Sequence, residues 1–183
     1  MSEPINGIWS QWAADKYHQV SPKLAAWLAE YLPKDKHVID IGCGNAFYIS
    51  ELAKKGFECT GVEGFQLNNF LHPNVCIHDL TKPLHLVARG SILCLEVIEH
   101  VPKSGEQNLF DSIARHCDGI AVISCATPGQ PGIGHINTLP HEYVIEQMET
   151  RGFVFLPEWT DQARMNVDSN TDWFERNLMV FAK

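Results

Sequence analysis

The chain has 183 residues, of which 45% are apolar and 20% charged, with a formal net charge of -8 at pH 7. Those proportions belong to a soluble globular protein long enough for one domain with a core of its own, read here over residues 1–183. The negative balance argues against a partner held mainly through phosphates, so nucleic acid is not expected as a ligand. No apolar run approaches membrane-spanning length and Met1-Ser2-Glu3-Pro4 lacks the basic start of a signal peptide, so no membrane partner and a cytoplasmic setting are expected. The six cysteines include no C-x-x-C pair. Cys59, Cys76, Cys94 and Cys125 lie inside apolar runs and read as buried reduced thiols, not as disulfide or zinc ligands.

Ile8, Trp9, Trp12, Tyr17 and His18 show no clean helical or strand period, and the segment reads as packing before it reads as an arm over a site. Residues 1–34 as a whole are expected to form an N-terminal arm and helix packing on or over the site. Ser21-Pro22 opens that helix as N-cap and first residue, Leu24, Trp27, Leu28 and Tyr31 share one face, and Pro33 closes it. The run His37-Val38-Ile39-Asp40-Ile41 is a buried strand, turned through Gly42 and Gly44 into a helix from Phe47 that Gly56 stops. A glycine turn at a helix start lets backbone approach a ligand and presents N–H groups to it. Further strands follow at residues 57–63, 74–79, 91–95 and 119–125. Ser104-Gly105-Glu106-Gln107 reads as a capping box ahead of Leu109, Phe110, Ile113 and Ala114. The segment 126–135, rich in glycine and proline, is irregular and expected to hang over the ligand edge. A helix over about 140–151 leads to a strand at 153–156, a polar break over 161–172 and a last strand over 174–182. The two closing strands, joined without a helix, predict an antiparallel hairpin.

Continuous apolar strands alternating with amphipathic helices predict an α/β fold of three layers, α/β/α, around a mostly parallel seven-stranded Rossmann-like sheet. In such sheets ligands bind beyond the carboxyl ends of the strands. Asp40, Glu63, Asp79 and Glu96 all fall at those ends. Glu63, about 19 residues beyond the glycine turn, suits the vicinal hydroxyls of a ribose. Phe47 stands where a dinucleotide fingerprint needs its third glycine, and Asp40 is placed to attract an ammonium group.

Asp40-Ile41-Gly42-Cys43-Gly44, the acids Glu63 and Asp79, and Leu95-Glu96-Val97-Ile98-Glu99-His100-Val101-Pro102 together resemble the class I S-adenosylmethionine-dependent methyltransferases over residues 36–125. Pro128-Gly129-Gln130 and Gly134-His135-Ile136-Asn137 resemble a less characterised subgroup. The resemblance implies S-adenosylmethionine as cofactor and S-adenosylhomocysteine as product. It puts Gly42 and Gly44 against the methionine part with Asp40 near its amino group, and Glu63 on the ribose. It puts Asp79 on the adenine amino group with Leu80 beside the ring, and Glu96 near the methionine end. Ala46 stands where such enzymes often carry a third glycine.

Methyl transfer needs an in-line nucleophile, and a hydroxyl acceptor needs a base for its proton. His100 and His135 are the candidate catalytic residues, because imidazole titrates near neutrality. The expected acceptor is a small molecule methylated at oxygen in preference to nitrogen, since no Asn/Asp-Pro-Pro-Tyr/Phe-type signature follows the fourth strand. The expected state is a monomer or homodimer. Two other readings compete. Small-RNA 2'-O-methyltransferases place a divalent metal at a similar Glu-x-x-Glu-His, here Glu96, Glu99 and His100 with His135 as a fourth ligand, although no metal ligand is assigned. A binding module that keeps the fold without catalysis is the other.

Overall fold

The structure, a computed structural model, describes residues 10–183; Ile8 and Trp9 of the N-terminal arm lie outside the described residues. In chain order the elements are α1 (Gln11–Tyr17), α2 (Pro22–Tyr31), β1 (His37–Ile41), α3 (Phe47–Lys54), β2 (Cys59–Glu63), β3 (Val75–Ile77) and β4 (Gly90–Leu95). A 3-10 turn at Ile98–His100 follows, then α4 (Glu106–His116), β5 (Cys117–Ser124), α5 (His141–Glu149), β6 (Val154–Phe155), α6 (Pro157–Met165), α7 (Phe174–Asn177) and β7 (Leu178–Ala182).

All seven strands form one sheet in the order β3-β2-β1-β4-β5-β7-β6. β1 to β5 are parallel, and β7 runs antiparallel between β5 and β6. The winding reverses between β1 and β4, so the strand ends that carry Asp40 and Glu96 open on the same crevice. The central strands feed both faces by simple alternation. Ile39, Ile41, Ile92, Cys94, Ala121 and Ile123 pack toward α4 and α5, whereas Val38, Leu93, Ile120 and Val122 pack toward α2 and α3. Each fully enclosed Leu or Ile in these layers contributes about 1.5 to 3 kcal/mol of transfer free energy. The mostly parallel, seven-stranded Rossmann-like sheet is therefore present as expected.

Several local expectations are corrected. The N-terminal segment is helical over Gln11–Tyr17, begun by the Ser10 hydroxyl accepting from Ala13 N–H; its aromatic residues masked the period. The closing strands do pair antiparallel, but α6 and α7 lie between them, so they are not a tight hairpin. Residues 174–177 turn helically before the strand starts at Leu178. Ser104 caps nothing: α4 starts from Gly105 with no side-chain cap. Instead Glu106, fully enclosed, accepts from Lys103, Tyr143 and Asn137. All six cysteines are free thiols, and Cys76, on edge strand β3, is exposed instead of buried.

Candidate active site

At the carboxyl edge of β1, β2 and β4 the structure opens a cavity of about 1090 Å³ including its mouth. Its floor is the β1–α3 turn. Gly42 and Gly44 take φ of 78° and 54°, a left-handed backbone that disfavours a Cβ. Space forbids one as well: a Cβ on Gly42 would stand 2.3 Å from Val97 Cγ2, and one on Gly44 would stand 2.4 Å from His18 Nε2. Ala46 also has a left-handed φ, 67°, but its methyl is buried in the core and does not narrow the cavity. A glycine is common at such a position because that backbone costs an L-residue roughly 1 to 2 kcal/mol.

The turn does not offer its N–H groups to a ligand as a bare helix start would. Gly42 and Cys43 both donate to Val62 O, Ala46 donates to Cys43 O, and Phe47 donates to Asn45 Oδ1. Gly44 N–H donates to Glu63 Oε2 at 2.8 Å, and Gly64 N–H to Glu63 Oε1 at 2.8 Å. The Glu63 carboxylate thus fastens the turn to β2 while lining the cavity. Burial raises its pKa, against the lowering effect of those backbone donors.

Asp40 lies one layer deeper. It is 2% exposed and does not line the cavity. Its Oδ2 is buried with no hydrogen-bond partner. Burial, with the charge of Glu63, pushes its carboxyl up to about 8. Asp79 and Leu80 sit on the cavity wall. The Asp79 Oδ1 accepts from Thr81 N–H at 2.9 Å and Thr81 hydroxyl at 2.7 Å, which holds the carboxyl below its usual range and turns the acid along the rim.

Glu96 has a left-handed φ of 54°, uncommon for a residue with a side chain. Its N–H donates to Ser124 O and Oγ, and Asn177 Nδ2 donates to its carboxylate at 3.1 and 3.3 Å. Glu99, wholly enclosed, has both carboxyl oxygens without a hydrogen-bond partner. Burial raises both acids, Glu99 well above its ordinary range and further through the charge of Glu96.

His100 lines the cavity; its Nδ1 donates to the Gly134 carbonyl at 3.0 Å, which leaves Nε2 as the basic nitrogen. Burial pushes it down to about 4. His135 stands behind it, ring centroids 5.2 Å apart, with Nε2 3.9 Å from Glu99 Oε1. It does not line the cavity. The glycine-rich loop that carries it therefore packs behind the 3-10 turn, Ile136 and Asn137 N–H both donating to Glu99 O, and does not overhang the ligand edge as expected. The ligand atoms of Glu99, His100 and His135 lie within 4.8 Å of one another, a set that could hold a metal ion.

More of the wall comes from the N-terminal arm, Tyr17 at the end of α1 with His18 and Gln19 just after it, and from residues that the sequence left unassigned, Tyr48 of α3 and Trp173 and Phe174 ahead of β7. Among the described residues that line the cavity, none is lysine or arginine.

A family model described as a methyltransferase domain matches residues 13–177. The ubiquinone biosynthesis O-methyltransferase of Stutzerimonas stutzeri is 26% identical over 128 residues, covering 54% of this chain and 54% of that protein. The chain spans about half the length of the curated relatives it matches. A TehB-like SAM-dependent methyltransferase from Corynebacterium glutamicum superposes with a TM-score of 0.69 at 16% identity, over 93% of this chain and 91% of that one. The magnesium protoporphyrin IX methyltransferase from Synechocystis PCC 6803, solved with bound SAH, gives 0.61 at 17%, over 94% and 83%. At those identities the likeness is one of fold.

Proposed function

The chain belongs to the methyltransferase domain family, and we propose that it moves a methyl group from S-adenosylmethionine to an oxygen of a small-molecule acceptor. The observation that carries this reading is the joining, on one cavity wall, of the side-chain-free Gly42 and Gly44 backbone with Glu63, Asp79, Leu80 and Glu96. These residues fit the cofactor. The glycines would admit its amino-acid end, Glu63 would take the ribose hydroxyls, and Asp79, with Oδ2 not used by Thr81, would take the adenine amino group beside Leu80. Asp40, beneath the wall, does not contact the amino-acid end, and an ammonium above it would favour its ionised form. When bound, the cofactor supplies a methyl group on a sulfonium.

The protein's part is then positioning and proton removal. His100, held in one tautomer by Gly134, presents Nε2 as the base. Because burial weakens this base, the matching acceptor is a hydroxyl with an acidic proton, of phenol or enol type. The curated relatives named as O-methyltransferases support oxygen. The formal charge of -8 and a wall free of Lys and Arg support an acceptor without phosphate groups. We read the chain as one cytoplasmic catalytic domain, monomer or homodimer, whose first helix and the residues just after it complete the cavity.

Calorimetry tests the cofactor half: S-adenosylhomocysteine binds, and Glu63→Gln weakens it more than tenfold. Equal affinity in the variant, or comparable binding of NAD, removes the assignment. Mass detection of methyl addition across a panel of phenols, enols and amines tests the acceptor half. Products confined to amines overturn the oxygen reading, and cofactor binding with no product from any acceptor favours the non-catalytic module. The Glu99, His100 and His135 cluster supports one second reading, a metal-assisted form of the same transfer. Activity that survives exhaustive chelation removes it.

A further inference from the structure

We infer that His18 is the residue that binds the carboxylate of the cofactor's amino-acid tail. The inference rests on the cofactor reading above and adds a specificity residue from outside the glycine motif. The amino-acid tail carries both an ammonium and a carboxylate. The buried acids around the turn suit the ammonium, so the carboxylate needs a donor of its own. Five of the six N–H groups from Gly42 to Phe47 already donate within the protein, so the turn has little to offer an anion. The cavity wall supplies neither lysine nor arginine among the described residues.

His18 fills that gap. It lines the cavity at the end of α1, and its Nε2 edge abuts Gly44, 2.4 Å from where a Cβ would stand. Its Nδ1 is sealed in the protein with no hydrogen-bond partner. Burial lowers its pKa, so the ring is neutral with a single proton. With no acceptor in reach of Nδ1, that proton belongs on Nε2, at the turn where the tail lies. The helix that presents the ring is anchored. Gln11 accepts from Asn68 N–H at 2.7 Å and donates to Asn69 Oδ1 at 3.1 Å, which ties α1 to the loop after β2.

The test compares two ligands that differ in the tail. S-adenosylhomocysteine has the amino-acid tail, and 5'-methylthioadenosine lacks it but keeps the ribose and adenine. Calorimetry on the wild type, His18→Ala and His18→Phe is paired with thermal melts; Phe keeps a ring on Gly44 without a donor. We expect both variants to lose S-adenosylhomocysteine affinity by about tenfold, the loss of one hydrogen bond to a charged group, and to bind 5'-methylthioadenosine within twofold of the wild type. His18→Phe binding S-adenosylhomocysteine like the wild type means the ring only packs, and overturns the assignment. An equal fall for both ligands in both variants also overturns it, since the role is then shape. A wild type that binds neither ligand refutes the cofactor reading itself, and the His18 assignment with it.

Discussion

Replacing Asp40 with Asn tests the electrostatics under the glycine turn. Asp40 is enclosed on β1 beneath Gly42 with Oδ2 unpartnered, and burial with the Glu63 charge pushes its carboxyl from 3.8 up to about 8. A raised folded-state value means that the folded protein holds a proton the unfolded chain has released, throughout the interval between the two values. Stability is therefore fullest below about 4 and falls as pH rises toward about 8, by about 1.4 kcal/mol per pH unit. From pH 5 to pH 8 that amounts to about 4 kcal/mol. Asn has nearly the shape of the protonated acid and does not titrate, so Asp40→Asn lacks this loss. Urea unfolding of both proteins at pH 5, 6, 7 and 8 gives the comparison. The other buried acids titrate in both proteins, so the difference isolates Asp40 together with its coupling to Glu63. We expect the variant to gain on the wild type as pH rises, by about 4 kcal/mol over this range if water stays out of the site; half of that is readily resolved. Parallel profiles refute the reasoning, because they place a charged carboxylate or a water at Asp40.

Gly42→Ala forces a methyl group onto Val97 in a left-handed backbone, and should lower stability by about 2 kcal/mol and abolish measurable S-adenosylhomocysteine binding; a variant with wild-type affinity contradicts the close approach. His100→Gln should lower kcat by about a hundredfold or more with cofactor affinity within threefold. Because burial holds His100 near 4, the base is competent above that value, so the wild-type rate should stay level from pH 6 to 8 and fall only as pH drops through about 4. Ser21→Ala removes an N-cap whose hydroxyl donates to Asp168 Oδ2 at 2.8 Å and accepts from Asp168 N–H at 3.0 Å, and a melting scan should show Tm lower by about 5 °C.

The sheet was legible because parallel strands buried on both faces read as unbroken apolar runs, and Val38-Ile39 or Ile120-Ala121-Val122-Ile123 admit little else. α1 was not legible: Gln11–Tyr17 has only two buried residues, Ala13 and Ala14, so its hydrophobic stripe is too thin to show a period. α7 was hidden for the opposite reason, as Phe174 and Asn177 are buried by the surrounding packing and the run to Ala182 looks like one strand. In the site, the same difference recurs. Gly42, Gly44 and Glu63 were readable because a local turn and a strand end fix them. His18 and Asn177 were not, since Asn177 reaches Glu96 across 81 residues, and no spacing rule spans such a distance. His135 misled by composition: a glycine-rich loop after a strand points to a lid, but two N–H groups donated to Glu99 O draw it behind the turn.

Four carboxyls with raised pKa, Asp40, Glu63, Glu96 and Glu99, crowd the strand ends with no lysine or arginine among the described residues of the cavity wall. Burial disfavours the charged forms of such a cluster, which is the first cause of all four raised values. Under the proposed function the missing positive charge arrives with the ligand. An ammonium over the Gly42 turn and a sulfonium near Glu96 would offset the acids, so binding should favour their ionised forms. Once the methyl group has left, the sulfur is neutral while the ammonium remains. The acids near Glu96 would then lose their counter-charge while those near Asp40 keep theirs. The same burial that costs stability at Asp40 thus leaves the strand ends electrostatically suited to a cationic ligand, from carboxyl groups alone.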